Sequence, residues 1–91
     1  MTNLRIAEIR SRLEAAFAPA LLEIVDESHR HAGHAGARDG RGHFAVRIVS
    51  ERFAGSKPLA RHRMVYAALG TLMQTDIHAL SVVALYPGEN A

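Results

Sequence analysis

The chain of 91 residues contains no cysteine. It therefore cannot form a disulfide, and it lacks the thiolate ligands of structural zinc sites and of self-contained iron–sulfur clusters. No apolar run approaches the roughly 20 residues that span a bilayer, and the start, Met1-Thr-Asn-Leu-Arg5, lacks the apolar stretch of a secretory signal. These absences lead us to expect a soluble, cytoplasmic protein, and the length predicts one domain over residues 1–91.

Histidine is abundant where cysteine is missing. Of the six histidines, His29, His31 and His34 stand within one glycine-rich stretch, and His78 lies far downstream at the edge of an apolar run. Neutral imidazole is the commonest metal ligand among side chains, so this usage favours a metal role, for which another molecule must supply any sulfur. By position alone, His78 could equally be a hydrogen-bonded structural residue. The histidines of the glycine-rich loop could equally be solvated side chains.

Positive charge is concentrated in the middle of the chain. Residues 28–63 carry eight basic and two acidic residues, a balance of +6, whereas the segments 1–27 and 64–91 each have a balance of −2. A basic middle suits phosphate or an acidic protein surface. An ordinary solvated face is the alternative interpretation.

Hydrophobic periodicity predicts the order helix, strand, strand, helix, strand. The predicted helix over 3–18 ends before Pro19, and Pro58 suits the first turn of a second helix, whose apolar face runs through Met73. The remaining segments are the strands 21–28, 43–50 and 77–85, the glycine-rich loop 29–42, and flexible ends at about 1–3 and 87–91.

A helical connection between the second and third strands predicts a right-handed parallel crossover. The expected fold is therefore α+β, an αββαβ chain with a three-stranded mixed sheet and both helices on one face. The apolar face of the second helix is predicted to contain Leu59, His62, Tyr66, Leu69 and Met73, and Val65 and Leu72 extend it on one side. The predicted core comprises Leu13, Phe17, Ile24, Val46, Ile48, Val65, Leu69 and Val82.

Six short motifs occur together in one order: Val25-Asp-Glu-Ser28, His43-Phe44, Ile48-Val-Ser50, Phe53-x-Gly55, Arg61-His-Arg63 with Val65-Tyr66, and Ile77-His-Ala-Leu80. In combination and at these spacings they closely resemble the BolA-like family, over residues 4 to about 87. The most specific part is Arg-His-Arg followed by Ile-His-Ala. The resemblance implies a fold like a type II KH domain, which agrees with the predicted element order.

The resemblance also implies a partner role, in which the chain binds a monothiol glutaredoxin and shares a glutathione-dependent [2Fe–2S] cluster with it. The glutaredoxin and glutathione supply sulfur, and the BolA-like chain supplies a histidine matched by His78 and a second ligand from the loop. That second ligand is matched by His31, with His34 as the alternative. Such ligation is similar to the Rieske arrangement, and no cluster is expected on the isolated chain.

Two other function classes deserve comparison. No nucleophile elbow or paired-carboxylate spacing indicates catalysis, so we do not expect an enzyme. The family includes transcriptional regulators, and the basic helix-turn-helix-like segment 51–73 offers Lys57, Arg61 and Arg63 to DNA, or equally to a glutaredoxin or glutathione carboxylates. Against DNA, the segment Gly55-Ser-Lys-Pro58 lacks the second glycine of a nucleic-acid-binding KH loop.

Overall fold

A computed structural model describes residues 4–28 and 42–89. The expected αββαβ order is confirmed, with a 3₁₀ turn and a short third helix in addition. The elements are α1 (Leu4–Phe17), β1 (Leu21–Asp26), β2 (Gly42–Val49), the 3₁₀ turn (Glu51–Phe53), α2 (Pro58–Leu69), α3 (Leu72–Thr75) and β3 (Ile77–Leu85). The predicted loop histidines, His29, His31 and His34, lie outside the described residues, as do most of the loop and both extreme ends.

The sheet is mixed, as the crossover argument predicts. Strand β2 is central, and it pairs antiparallel with β1 and parallel with β3. The parallel ladder runs from His43 opposite Ala79 to Val49 opposite Leu85, with a register shift between Gly42 and His43. Because β2 and β3 run in the same direction, their first residues meet at one end of the sheet and their last residues at the other.

The core lies between the helices and one face of the sheet. Residues four apart on α1, namely Ile9, Leu13 and Phe17, are buried against the alternate side chains of β2. Six of the eight predicted core residues are buried, and the other two, Ile24 and Val82, are half-buried against the same cluster. The opposite sheet face is open, with Val25 50% and Val83 40% exposed.

A buried serine joins the end of α1 to the end of β2. The Ser50 hydroxyl donates to the Phe17 carbonyl at 2.7 Å and accepts the backbone N–H of Arg52 at 3.2 Å. The Phe17 and Phe53 rings lie 4.8 Å apart beside it. Two of the sequence motifs, those containing Ser50 and Phe53, therefore have structural roles at this junction.

The apolar face predicted for the second helix is correct at Val65 and Leu69 and wrong at Leu59 and Tyr66. The positions of α2 that are buried are Arg61, Val65 and Leu69, whereas Leu59 and Tyr66 are exposed. A hydropathy pattern assigns every arginine to solvent. It therefore cannot identify a buried helix face whose first residue is Arg61.

The second helix also ends earlier than predicted. Gly70 adopts φ +55 directly after Leu69, and Met73 belongs to α3. Arg12 of α1 closes this end, since its Nη1 donates to the Leu69 carbonyl at 2.9 Å. A cation beside the last carbonyls of a helix is favourable, so the contact ties the two helices together where α2 stops.

Replacing Leu69 by alanine should lower the free energy of unfolding by ~2–5 kcal/mol, because the side chain is fully buried and its removal leaves a cavity. Urea denaturation measures the change. The matched control is Leu59→Ala, the same substitution on the same helix at a side chain that is 62% exposed, and it should change stability by less than about 0.5 kcal/mol. Equal losses for the two variants would contradict the packing described above.

Candidate functional site

Two histidines from neighbouring strands meet at the end of the sheet where β2 and β3 begin. The ring centroids of His43 and His78 are 5.1 Å apart, with the ring planes inclined by 47°. The His78 side chain is exposed, whereas Nε2 of His43 is buried. We call this the histidine end of the molecule.

The backbone around the histidine end is held by a close set of hydrogen bonds. The N–H of His43 donates to the Ser28 hydroxyl at 3.0 Å, and the Ser28 N–H donates to Oδ1 of Asp26 at 2.9 Å. On the other side, the Gly42 N–H donates to the Asp76 carbonyl at 2.9 Å, immediately before β3. These bonds fix the start of both strands. They also give a structural role to Asp26 and Ser28, two residues of the motif Val25-Asp-Glu-Ser28.

Glycine is required at position 42 by close packing. A Cβ there would lie 2.6 Å from a ring carbon of Phe44 and 2.8 Å from the Ser28 hydroxyl oxygen, both well inside van der Waals contact. The chain therefore passes between these two side chains just before His43. Ser28 and Gly42 thus stand at the two ends of the segment 29–41, directly beside the histidine pair.

The histidine end contains one predicted ligand, His78, and a second residue, His43, for which the sequence favours strand pairing and leaves a contact with the loop as the alternative. His78 was predicted as a ligand, and His31 and His34 lie in the undescribed segment that Ser28 and Gly42 bound. His43 was missed as a neighbour of His78 because no sequence spacing links them. The predicted parallel crossover could have indicated this contact, because it brings the first residues of β2 and β3 together.

The donor set at this end is incomplete for a metal on its own. Among residues 4–28 and 42–89, no group of three histidine, cysteine or acidic side chains is arranged to hold a metal ion. Two imidazoles are adjacent, and the chain has no thiolate. Any metal centre at this end would therefore need further ligands from elsewhere.

Arg61 is buried, so its predicted role at the surface is not supported. It was predicted to offer its charge to a partner, but it is 6% exposed and its guanidinium is used inside the protein. Nε donates to the Ser56 carbonyl at 2.7 Å, and Nη1 donates both to the Ala84 carbonyl at 2.9 Å and to the Glu89 carboxylate. Arg61 therefore joins the turn before α2 to the end of β3.

The residues after β3 form a turn that Arg61 holds in place. The Glu89 N–H donates to the Tyr86 carbonyl at 3.0 Å, Gly88 adopts φ +90 within the turn, and the Glu89 carboxylate accepts the Tyr86 N–H at 3.1 Å. The Tyr86 ring lies 5.5 Å from the guanidinium carbon of Arg61. A flexible end from about residue 87 stays a prediction, and within it the Glu89 carboxylate is bound to Arg61 of α2.

The other basic residues of the segment 51–73 lie on α2 or before it. Lys57 precedes α2 and is exposed, as is Arg63 on the helix itself, whereas Arg52 donates to the Ala16 carbonyl. Arg61 reaches β3 at Ala84, six residues after His78. At roughly 3.3 Å per strand residue, the start of α2 is about 20 Å from the histidine end.

Comparison with known proteins identifies the family. The sequence profile of the family described as BolA-like protein matches residues 13–89. The Escherichia coli (strain K12) protein named DNA-binding transcriptional regulator BolA is 47% identical over 74 residues, which cover 81% of this chain and 68% of that protein. This chain belongs to the BolA-like family.

The plant relatives agree with this assignment. SufE-like protein 1 of Arabidopsis thaliana, named as chloroplastic/mitochondrial, is 44% identical over 86 residues, which cover 89% of this chain but only 23% of that protein. The solved BolA domain of SufE1 from the same plant superposes with a TM-score of 0.86 at 40% identity, covering 99% of this chain and all of the domain. The shared unit is therefore the BolA domain, and the fold prediction is confirmed.

The described helices include none that is long and apolar enough to cross a membrane. A cytoplasmic location stays a prediction.

Glu89→Gln should reduce the loss of stability on acidification. The hydrogen bond from Arg61 is the main reason that the pKa of the Glu89 carboxyl lies below its ordinary value of 4.5. Because the folded pKa is the lower one, the contact stabilises the fold above the unfolded pKa and is lost as the pH falls through the folded pKa. Urea midpoints from neutral pH to about pH 3 should show a weaker acid dependence for Glu89→Gln than for the wild type. Glu51→Gln, at an exposed carboxylate, is the control, and an identical pH dependence for wild type and Glu89→Gln would contradict the assignment.

Proposed function

We propose that this chain is a non-catalytic partner of a monothiol glutaredoxin, with which it shares a glutathione-dependent [2Fe–2S] cluster in iron–sulfur trafficking or in iron and redox regulation. The observation that carries the proposal is the contact between His43 and His78 at one end of a BolA-like domain that has no cysteine. When bound, the cluster would supply one-electron redox chemistry and a store of iron and sulfide for transfer.

The proposed role of His78 is that of the principal ligand. It belongs to a strand whose start is fixed by the Gly42–Asp76 hydrogen bond, and its side chain is exposed to an incoming partner. A ligand on a rigid element is already oriented before the metal arrives, which favours binding. His43 has a buried Nε2 and a ring against that of His78, so we assign it the role of orienting the His78 imidazole.

The second ligand is proposed to come from the segment between Ser28 and Gly42, as His31 or, in the alternative, His34. The ends of this segment are anchored beside the histidine pair by the hydrogen bond between Ser28 and His43 and the packing around Gly42. Two imidazoles from this chain and sulfur from glutaredoxin and glutathione would complete the coordination that the chain cannot complete alone.

Anaerobic cluster reconstitution tests the proposal. The purified chain alone should hold no stable cluster, whereas the chain with a monothiol glutaredoxin and glutathione should form a heterodimer with a Rieske-like visible spectrum. Iron and sulfide determination, with size-exclusion chromatography, measures both. Stoichiometric iron and sulfide on the isolated chain without added thiol would overturn the proposal.

Histidine variants identify the ligands in the same reconstituted complex. His78→Ala should abolish the histidine-ligated form, His31→Ala should weaken it, and the double change with His34→Ala should weaken it much more, because one loop imidazole then cannot replace the other. His62→Ala is the matched control, since His62 lies on α2 away from this end. Visible circular dichroism and electron paramagnetic resonance report the ligation, and unchanged spectra for His78→Ala would refute it.

DNA binding is the second candidate function. It is favoured by the name of the Escherichia coli relative and by the exposed cations Lys57 and Arg63 around α2. It is weakened by the burial of Arg61, because the segment 51–73 then offers one cation fewer to phosphates.

The expected affinity for arbitrary duplex DNA is therefore no better than the non-specific range, a Kd of roughly 10⁻⁴–10⁻⁶ M at physiological salt. Fluorescence anisotropy with the wild type and a Lys57→Glu, Arg63→Glu double variant measures it. Sub-micromolar, sequence-dependent binding that the double variant abolishes would place DNA binding ahead of the glutaredoxin partnership.

A further inference from the structure

Strand β3 contains one residue more than β2 at the histidine end. The parallel ladder pairs Gly42 with Ile77. The next pair is His43 with Ala79, so two adjacent residues of β2 face residues of β3 that are two apart. β2 therefore has no residue to stand opposite His78. Two residues of one strand opposite a single residue of the other define a β-bulge, and we call residues 77–79 the β3 bulge.

The burial of β3 changes phase at this bulge. Ile77 is 1% exposed, and Leu80 and Val82 also pack against the core. Successive side chains of a regular strand point to opposite faces, so core positions should be two apart, whereas Ile77 and Leu80 are three apart. His78 and Ala79 are both exposed between them. The bulge thus gives β3 two consecutive positions outside the core.

Contacts on both sides fix the position of the bulge. Before it, the Asp76 carbonyl accepts the Gly42 N–H at 2.9 Å, and the Asp76 N–H donates to the Leu72 carbonyl of α3 at 3.0 Å. The Asp76 carboxylate also lies 3.5 Å from Nε of Arg5 on α1. After it, the ladder is regular from Ala79 to the end of both strands. An extra residue between two fixed segments has to project from the strand.

The core does not require the extra residue. Without Ala79, Ile77 and Leu80 would be two apart, and both would still point into the core. His78 would then stand opposite His43 in a regular ladder. What the bulge changes is the position of the His78 side chain, whose ring centroid lies 5.1 Å from that of His43. Bulges are over-represented next to active sites, where they re-aim a side chain.

We propose that the β3 bulge is a positioning device for the His78 imidazole, and that Ala79 is the positioning residue because it supplies the extra length. The bulge holds His78 between the levels of Gly42 and His43, at the end of the sheet where the segment 29–41 finishes. A regular strand would place the imidazole one level further along the sheet, away from that segment. This role rests on the proposed function, since it takes His78 as a cluster ligand, whereas the register shift does not depend on it.

Two variants move the imidazole without removing it. Deletion of Ala79 should give a regular ladder that retains every core residue and both histidines. The exchange of His78→Ala with Ala79→His keeps the chain length and the bulge but places the imidazole opposite His43. Ala79→Ser is the matched control, because it keeps both the length and the position of His78. The exchange variant decides the result if the deletion variant does not fold.

Reconstitution with a monothiol glutaredoxin and glutathione measures the effect on ligation. Both variants should lose the circular dichroism and electron paramagnetic resonance signature of histidine ligation that the wild type shows. In competition with a chelator they should hold the cluster at least about tenfold less tightly, a loss typical of groups that orient metal ligands. Ala79→Ser should match the wild type in both measurements. Urea denaturation separates these losses from a loss of folding.

Nuclear Overhauser effects in the isolated chain test the register without a cluster. The wild type should show cross-strand backbone contacts from His43 to Ala79, and the deletion variant should show them from His43 to His78. A wild-type ladder in which His43 stands opposite His78 would overturn the proposal, as would unchanged ligation spectra for both variants. Failure of the wild type itself to take up a cluster would refute the proposed function, and with it this role of the bulge. That result is distinct because it does not involve the variants.

Discussion

The parallel pairing of β2 with β3 determines where the candidate functional residues of this domain lie. Because both strands run in one direction, their first residues meet, and His43 is brought against His78 although 35 positions separate them in the chain. The same pairing requires α2 to run back along the sheet, so its first turn reaches the far end of β3 at Ala84. The histidine end and the start of α2 are separated by the length of a strand for this reason.

Much of the fold followed from periodicity and turn chemistry. The alternation in β2 and the run from Ile77 to Leu85 predicted two strands, the second at its observed bounds, and the handedness of crossovers predicted their parallel pairing. The pattern failed on α2, because Arg61 occupies an inward position that hydropathy assigns to solvent. It also could not foresee the pairing of His43 with His78, since contacts across a sheet depend on register rather than on local spacing.

The Arg61-His-Arg63 motif combines two different uses of the same residue type. Positions two apart on a helix point in nearly opposite directions, so one arginine faces the core and the other faces solvent. Arg61 neutralises its charge with Glu89 and satisfies two backbone carbonyls, which is the condition under which a buried guanidinium is tolerated. Arg63 keeps its charge on the surface. A conservative exchange to lysine would therefore disturb the fold at Arg61, whereas the same exchange at Arg63 would leave the fold intact.

The packing around Gly42 fixes one end of the segment 29–41, and Ser28 fixes the other. Both residues are held by contacts with β2 and with the residue before β3, so the two ends of the segment keep a constant position relative to the sheet. Lengthening a surface connection is inexpensive, about 0.6 kcal/mol for each doubling in length. An insertion or deletion between Ser28 and Gly42 would therefore leave these anchoring contacts in place, and it would change which side chains are available beside the histidine end.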